Sequence, residues 1–261
     1  MRSGTSSDEV LRSLRDAIRN ARGIVVLTEA GVSADSGVPT FRGKDGHWKR
    51  HRVEELATPD AFRRDPRLVW EWYAERRESI LRCSPNPAHA VLASFLTERD
   101  DVTVVTQNVD GLHTRALEEL GGPLPHPRLL HLHGSLFTIR CSSCSWKEPH
   151  SGPVQTTSRD TLPHCPRCGE LARPAVIWFG EMLPERELDE AFEAARTAEL
   201  CLVVGTSALV HPAASLPRVT LEGGGRLAEV NPQPTPLSAA AAWTLRGPAG
   251  SILPDVIPQV I

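Results

Sequence analysis

Six short apolar runs recur along this chain: Ile24–Leu27, Val102–Val105, Leu129–Leu132, Leu200–Val204, Leu227–Val230 and a weaker Trp243–Leu245. Most are rich in β-branched residues and leucine and do not alternate with polar residues, which is the pattern of strands covered on both faces. Segments of helical periodicity separate most of them, among them Asn86–Glu98, His113–Leu120 and Glu185–Ala198. Strand and helix in repeated alternation predict an α/β fold built on a doubly wound parallel sheet. Ligands of such sheets bind beyond the carboxyl ends of the strands, so the residues after each run are the informative ones.

Two segments break the alternation. Residues 44–81 read as helical, and residues 137–173 carry Cys141-Ser-Ser-Cys144 and Cys165-Pro-Arg-Cys168. Two thiolates two residues apart can turn back onto one metal ion, and a second pair about twenty residues later completes a tetrahedral four-cysteine site of zinc type. A closed shell of four sulfurs leaves no position for water or substrate, so this single zinc is expected to hold a ribbon together and take no part in chemistry. Two disulfides are the alternative, disfavoured because no secretory signature accompanies the cysteines. The boundaries that follow are a large domain of residues 1–43, 82–136 and 174–261, and a small inserted one of 44–81 and 137–173. A cleft between the two is the natural ligand site.

Composition narrows the partners. With 29 Lys and Arg against 32 Asp and Glu, a net charge of -3 argues against a general nucleic-acid binder. No apolar run approaches the length needed to cross a bilayer, so no membrane partner is expected. The first 22 residues lack an apolar core of signal type and read as an amphipathic helix with Val10, Leu11, Leu14 and Ile18 on one face. No added amino-terminal regulatory domain is expected. Free Cys83 and Cys201 fit a reducing cytoplasm.

Each strand end carries its own polar cap. After the first comes Thr28-Glu29-Ala30-Gly31-Val32-Ser33-Ala34-Asp35-Ser36-Gly37-Val38-Pro39-Thr40-Phe41-Arg42-Gly43, whose small residues let backbone N–H groups approach a pyrophosphate. After the second comes Thr106-Gln107-Asn108-Val109-Asp110-Gly111-Leu112-His113, two amides and a carboxylate able to hold ribose hydroxyls and a carboxamide. The third runs into His131-Leu132-His133-Gly134-Ser135, where alternation puts both histidines on one face with His133 nearer the cleft. Gly205-Thr206-Ser207 follows the fourth and Asn231 the fifth.

In these motifs, in both C-x-x-C pairs and in their order from Ala30 to Asn231, the chain resembles the sirtuins, the NAD-dependent protein deacylases. The resemblance implies a Rossmann-like NAD domain, a small zinc-and-helix module, and an acyl-lysine peptide lying between them. It places NAD phosphates on Ala30, Gly31, Ser33, Gly205 and Ser207, with Asn231 near the adenosine ribose. Gln107 would contact the nicotinamide ribose, Asn108 and Asp110 would line the nicotinamide pocket, and Phe41 and Arg42 would close over the reacting sugar. Glu29, Trp48, Val109, Thr206 and Ala249 complete the cofactor-contacting set. His133 would be the general base, suited by an ordinary pKa of about 6.5. Nicotinamide, free lysine and O-acyl-ADP-ribose would be the products. Asp110 could also serve as a helix N-cap, and His89, His113 and His131 read as structural.

One position departs from the pattern: Glu29 stands where the family usually has glycine. A carboxylate beside a pyrophosphate repels it by about 1 kcal/mol or more when partly buried, so weakened NAD binding is expected. On the small module, Tyr73 and Arg76 stand three apart on one helical face, a phenol and a guanidinium able to bind the same carboxylate. This Y-x-x-R is similar to the signature of sirtuins that remove succinyl and malonyl groups. The run Val176-Ile177-Trp178-Phe179-Gly180 resembles the family's peptide-binding segment, whose backbone edge would pair with an extended substrate. Mono-ADP-ribosyl transfer to protein is the alternative that keeps NAD, and a non-enzymatic zinc-ribbon scaffold is the alternative that does not.

Overall fold

The computed structural model describes residues 7–39, 47–49 and 51–257. Along the chain the strands are β1 (Ile24–Thr28), β2 (His47–Trp48), β3 (His51–Arg52), β4 (Val102–Thr106), β5 (Leu129–His131), β6 (Gly134–Cys141), β7 (Lys147–Pro149), β8 (Ala172–Val176), β9 (Leu200–Val204), β10 (Arg226–Val230) and β11 (Trp243–Leu245). The helices are α1 (Ser7–Asn20), α2 (Val53–Leu56), α3 (Pro59–Arg64), α4 (Pro66–Leu81), α5 (Pro87–Glu98), α6 (Leu112–Glu119), α7 (Glu185–Thr197), α8 (Leu216–Glu222) and α9 (Ala249–Val256).

Six strands form one sheet in the order β11-β10-β9-β1-β4-β5, every neighbouring pair parallel. The chain builds outward from β1 through β4 to β5, then returns to the other side of β1 and continues through β9 to β11. The switch point of this Rossmann-like sheet therefore lies between β1 and β9, where a crevice opens at the strands' carboxyl ends. Alternation along β1 sends Ile24 and Val26 into a layer with α1, α5, α6 and α9, and Val25 and Leu27 into a layer with α7 and α8. Each such side chain contributes about 1.5–3 kcal/mol by leaving water. In α1, Leu14 and Ile18 are fully buried and Val10 and Leu11 pack beside them, as the periodicity predicts.

The second module has its own core, in which Trp70, Trp72 and Tyr73 of α4 meet Leu136, Ile139, Trp146 and Trp178. Helix α4 starts where its sequence dictates. Pro66 occupies the first turn and the Asp65 side chain accepts from Leu68 N–H at 3.0 Å. Trp70 then donates its indole N–H to the Ala172 carbonyl at 2.9 Å, fastening the helix to an antiparallel sheet of order β7-β6-β8. Three details differ from the sequence reading. Residues 47–48 and 51–52 pair as antiparallel strands, β2 and β3, inside the stretch expected to be helical. The ribbon sheet extends to Gly134 and Val176, which are register partners, so it is longer than the 137–173 segment. Strand β5 ends at His131, although Leu132 N–H still continues the ladder to the Thr106 carbonyl at 3.0 Å. Among the described residues no helix is long and apolar enough to cross a membrane.

Candidate active site and metal centre

Between the sheet and the small module lies a cleft of about 720 Å3. One wall is made of strand ends: Glu29 and Ala30 after β1, Gln107 to Asp110 after β4, and His133 after β5. The other is made of Trp72, Tyr73 and Arg76 of α4 with Val176, Ile177, Trp178, Phe179 and Gly180 after β8.

His133 is held by its own sheet. Its Nδ1 lies 3.0 Å from the Gln107 carbonyl oxygen, and because a carbonyl can only accept, Nδ1 carries the hydrogen. The lone pair is then on Nε2. Burial pushes the imidazole below the ordinary histidine value, an effect partly offset by that carbonyl and by the Glu29 carboxylate. The group is a neutral base at physiological pH. His131 goes elsewhere, which corrects the expectation that both histidines share a face: the strand has ended, and His131 lies 3.3 Å from Thr114 Oγ1 in a separate groove.

Below the cleft floor the polar groups form one network. Ser33 Oγ donates to Asp110 Oδ2 at 2.7 Å, accepts from Asn108 Nδ2 at 3.1 Å and lies 3.3 Å from His89 Nε2. The N-cap of α6 is Gly111, which corrects the expectation that Asp110 takes that position; Asp110 Oδ1 accepts from Leu112 N–H at 2.9 Å and the residue faces the cleft. Ser33 is fully buried, and its hydroxyl is engaged with these side chains rather than turned toward a phosphate. His89 and His113 stack edge to face at 4.8 Å between centroids, and burial pushes both down to about 3, so they are neutral and structural.

At the switch point the turns after β1 and β9 touch. Gly31 N–H donates to the Gly205 carbonyl at 2.9 Å, and a Cβ on Gly31 would lie 2.5 Å from that same oxygen. Only glycine fits. Glu29 does not cap its own turn. Its Oε2 accepts from Thr206 Oγ1 at 2.6 Å, from Ser207 N–H at 2.9 Å and from Ser207 Oγ at 3.2 Å. The Gly205-Thr206-Ser207 turn thus presents three converging donors to an anion. Gln107 adds a buried Oε1 that no donor among the described residues satisfies, an acceptor available to a ribose hydroxyl. These groups fit NAD. Asn231, whose amide is tied to the Gln233 carbonyl at 2.8 Å, and Ala249, buried at the start of α9, lie on the switch-point side outside the cleft. Trp48 is not in the cleft either. Its indole N–H donates to Glu75 Oε2 at 2.6 Å and ties β2 to α4. Phe41 and Arg42 lie outside the described residues.

The segment after β8 is less open than its sequence suggests. Ile177 N–H donates to the His133 carbonyl at 2.9 Å, Trp178 N–H to Glu181 Oε2 at 2.8 Å, and Phe179 N–H to the Ala57 carbonyl at 2.9 Å. Three successive donors of this segment are therefore engaged within the protein. Two residues missed in the sequence hold this segment in place. Arg173 is buried against the Trp178 ring, 3.4 Å from its centroid, and pairs with both oxygens of Glu181 at 2.6 and 2.8 Å. Only their positions eight residues apart in a tight return bring them together, and no local motif announces it. Trp178 in turn donates its indole N–H to Tyr73 Oη at 2.9 Å. Burial raises the Tyr73 phenol to about 12 and lowers Arg76 to about 10, so at neutral pH one is protonated and the other still cationic.

The four expected cysteines converge. Their sulfurs all lie within 4.8 Å of one another, with Cys141 and Cys168 at 3.4 Å and Cys144 and Cys165 at 3.6 Å. Sulfurs bound tetrahedrally to zinc at about 2.3 Å sit roughly 3.8 Å apart, so the cluster fits a zinc ion. All four are free thiols, and no disulfide joins them.

A doubly wound sheet with a polar cleft at its carboxyl end and a closed four-cysteine centre in an adjoining module defines a dinucleotide-binding enzyme with a structural metal. Residues 29–212 match the Sir2 family. The NAD-dependent protein deacylase of Pyrococcus furiosus is 46% identical over 238 residues, 90% of this chain and 92% of that protein. A solved Sir2 homologue in complex with NAD has a TM-score of 0.86 and 43% identity, covering 98% of this chain and 95% of that one. A structure of Sir2 bound to an acetylated peptide has a TM-score of 0.79 and 30% identity, covering 93% and 95%. The chain belongs to the Sir2 family.

Proposed function

We propose that this protein is an NAD-dependent protein-lysine deacylase, and that it prefers acyl groups ending in a carboxylate, succinyl and malonyl above acetyl. The observation that carries the first part is His133, anchored through Nδ1 with Nε2 left basic, in a cleft that also holds Gln107, Asn108 and Asp110. NAD bound there supplies an electrophilic ribose carbon with nicotinamide as leaving group. His133 takes a proton from a hydroxyl in the cleft, Gln107 Oε1 accepts from a sugar hydroxyl, and Asp110 keeps Ser33 and Asn108 in register. The apolar wall of Val176, Ile177 and Trp178 takes the lysine stem and excludes water. The relatives carry the deacylase name, which does not favour ADP-ribosyl transfer to protein.

The acyl preference is supported by Tyr73 and Arg76 on the same wall. Tyr73 Oη accepts from Trp178, so its own proton remains available for a carboxylate. The Arg76 guanidinium lies 6.0 Å from the Tyr73 ring centroid and is depressed mainly by burial, a cost that a ligand carboxylate relieves. Matched acetyl- and succinyl-lysine peptides, followed by mass with zinc-loaded protein and NAD, test both parts. Succinyl turnover should exceed acetyl, and Arg76→Met should lower the succinyl rate at least tenfold more than the acetyl rate, about the worth of one charge-assisted hydrogen bond. Equal losses on the two peptides would remove the acyl assignment. NAD-independent or absent turnover would remove the deacylase reading.

A further inference from the structure

Glu29 occupies a position that a phosphate-binding turn leaves for its ligand. Three donors of the Gly205-Thr206-Ser207 turn converge on a single oxygen, Oε2, and one of them is the Ser207 backbone N–H. This turn follows β9 beside β1, at the switch point, where dinucleotide phosphates are received by backbone N–H groups and hydroxyls. The backbone of Glu29 is extended, with φ -139°, so nothing in the main chain requires a special residue there. Its side chain turns away from the 3-10 turn it precedes and reaches across to the neighbouring strand's loop.

We propose that Glu29 is an internal competitor for NAD's pyrophosphate: in the ligand-free protein its carboxylate saturates the donors of Thr206 and Ser207, and a dinucleotide binds only by displacing it. The proposal rests on the NAD reading above. Direct repulsion of a phosphate by a neighbouring carboxylate acts in the same direction, but displacement adds the loss of charge-assisted hydrogen bonds that the free protein already makes. Glu29 is thus a determinant of cofactor affinity. The chain carrying it responds to NAD over a higher concentration range than one with a small residue at this position.

The test is calorimetric titration of ADP-ribose, which carries the pyrophosphate and no nicotinamide, into the zinc-loaded protein and its Glu29→Gln and Glu29→Gly variants. A cooperative thermal transition establishes that each variant is folded. Glu29→Gln keeps the size and an acceptor for Thr206, and Glu29→Gly removes both. Both variants should bind ADP-ribose about tenfold or more tighter than the parent, the equivalent of one hydrogen bond to a charged group, and the KM for NAD should fall in parallel. Equal affinity across the three proteins overturns the competition while leaving the NAD reading intact. Weaker binding by the variants overturns it in the other direction, by making Glu29 a contact of the ligand. Failure of all three folded proteins to bind ADP-ribose overturns the NAD reading and this proposal together.

Discussion

The two walls of the cleft are built on different principles. The sheet wall is a set of strand ends, each carrying a short polar cap within a few residues of an apolar run, and its side chains are fixed by neighbours in the same sheet: His133 by Gln107, Asp110 by Ser33. The opposite wall rests on α4 and on the small ribbon sheet that ends at Val176. Its shape comes from a chain of contacts between remote residues, Trp70 to Ala172, Tyr73 to Trp178, Trp178 to Arg173 and Arg173 to Glu181, mounted on a ribbon closed by four cysteines. The proposed base sits on the sheet wall, and Tyr73 and Arg76, proposed to select the acyl group, sit on the wall assembled from long-range packing.

Removing the metal breaks this comparison most severely. Chelation, or Cys165→Ser, should abolish turnover of every acyl peptide, since binding of structural zinc is itself folding free energy for a small module. ADP-ribose binding should survive, with the far-ultraviolet circular dichroism of the sheet and its helices largely kept. Parallel loss of ADP-ribose affinity with metal content would show instead that the two walls fold as one unit.

Replacing the proposed base acts on the sheet wall. His133→Asn should lower kcat by roughly 100- to 10,000-fold, the range of a lost general base, while the affinity for acyl peptide changes little. The parent's pH profile sharpens the point. Because burial lowers the His133 pKa, the neutral form persists to more acid pH than in a free imidazole, and the acid limb of kcat/KM should lie below the ordinary value of about 6.5. A limb above that value would contradict the burial argument.

The smallest of these effects belongs to the packed wall. Arg173→Met keeps apolar volume under Trp178 but leaves Glu181 without its partner. Loss of one member of a buried pair costs about 3 kcal/mol, and the partial exposure of Glu181 screens some of it. Thermal unfolding should register that loss, and KM for peptide should rise more than kcat falls. A variant with unchanged peptide KM would show that Trp178 is held without Arg173.

Much of this molecule is legible in its residues alone. The sheet, its strand-end caps, the paired cysteines, the amphipathic first helix and the pairing of Tyr73 with Arg76 all depend on residues close in sequence, where periodicity of 2 or 3.6 and ligand spacing are direct physical consequences of the chain. Errors occur where local pattern meets the end of an element. Alternation places His131 with His133, but the strand stops between them. The commitment of Ser33 to Asp110 and the remoteness of Trp48 from the cleft are equally invisible locally.

By itself, then, the sequence determined the class of fold and the metal-binding residues, because each is written in a short run of residue types. Only the tertiary structure decided where side chains that can reach several partners settled. Glu29 is the plainest case. Nothing near it in sequence offers the three donors it takes, since Thr206 and Ser207 stand 177 and 178 residues away and reach it only because β9 lies beside β1. Long, flexible charged side chains take their orientation from whichever donors the fold brings within reach, and which donors those are is a property of the assembled sheet.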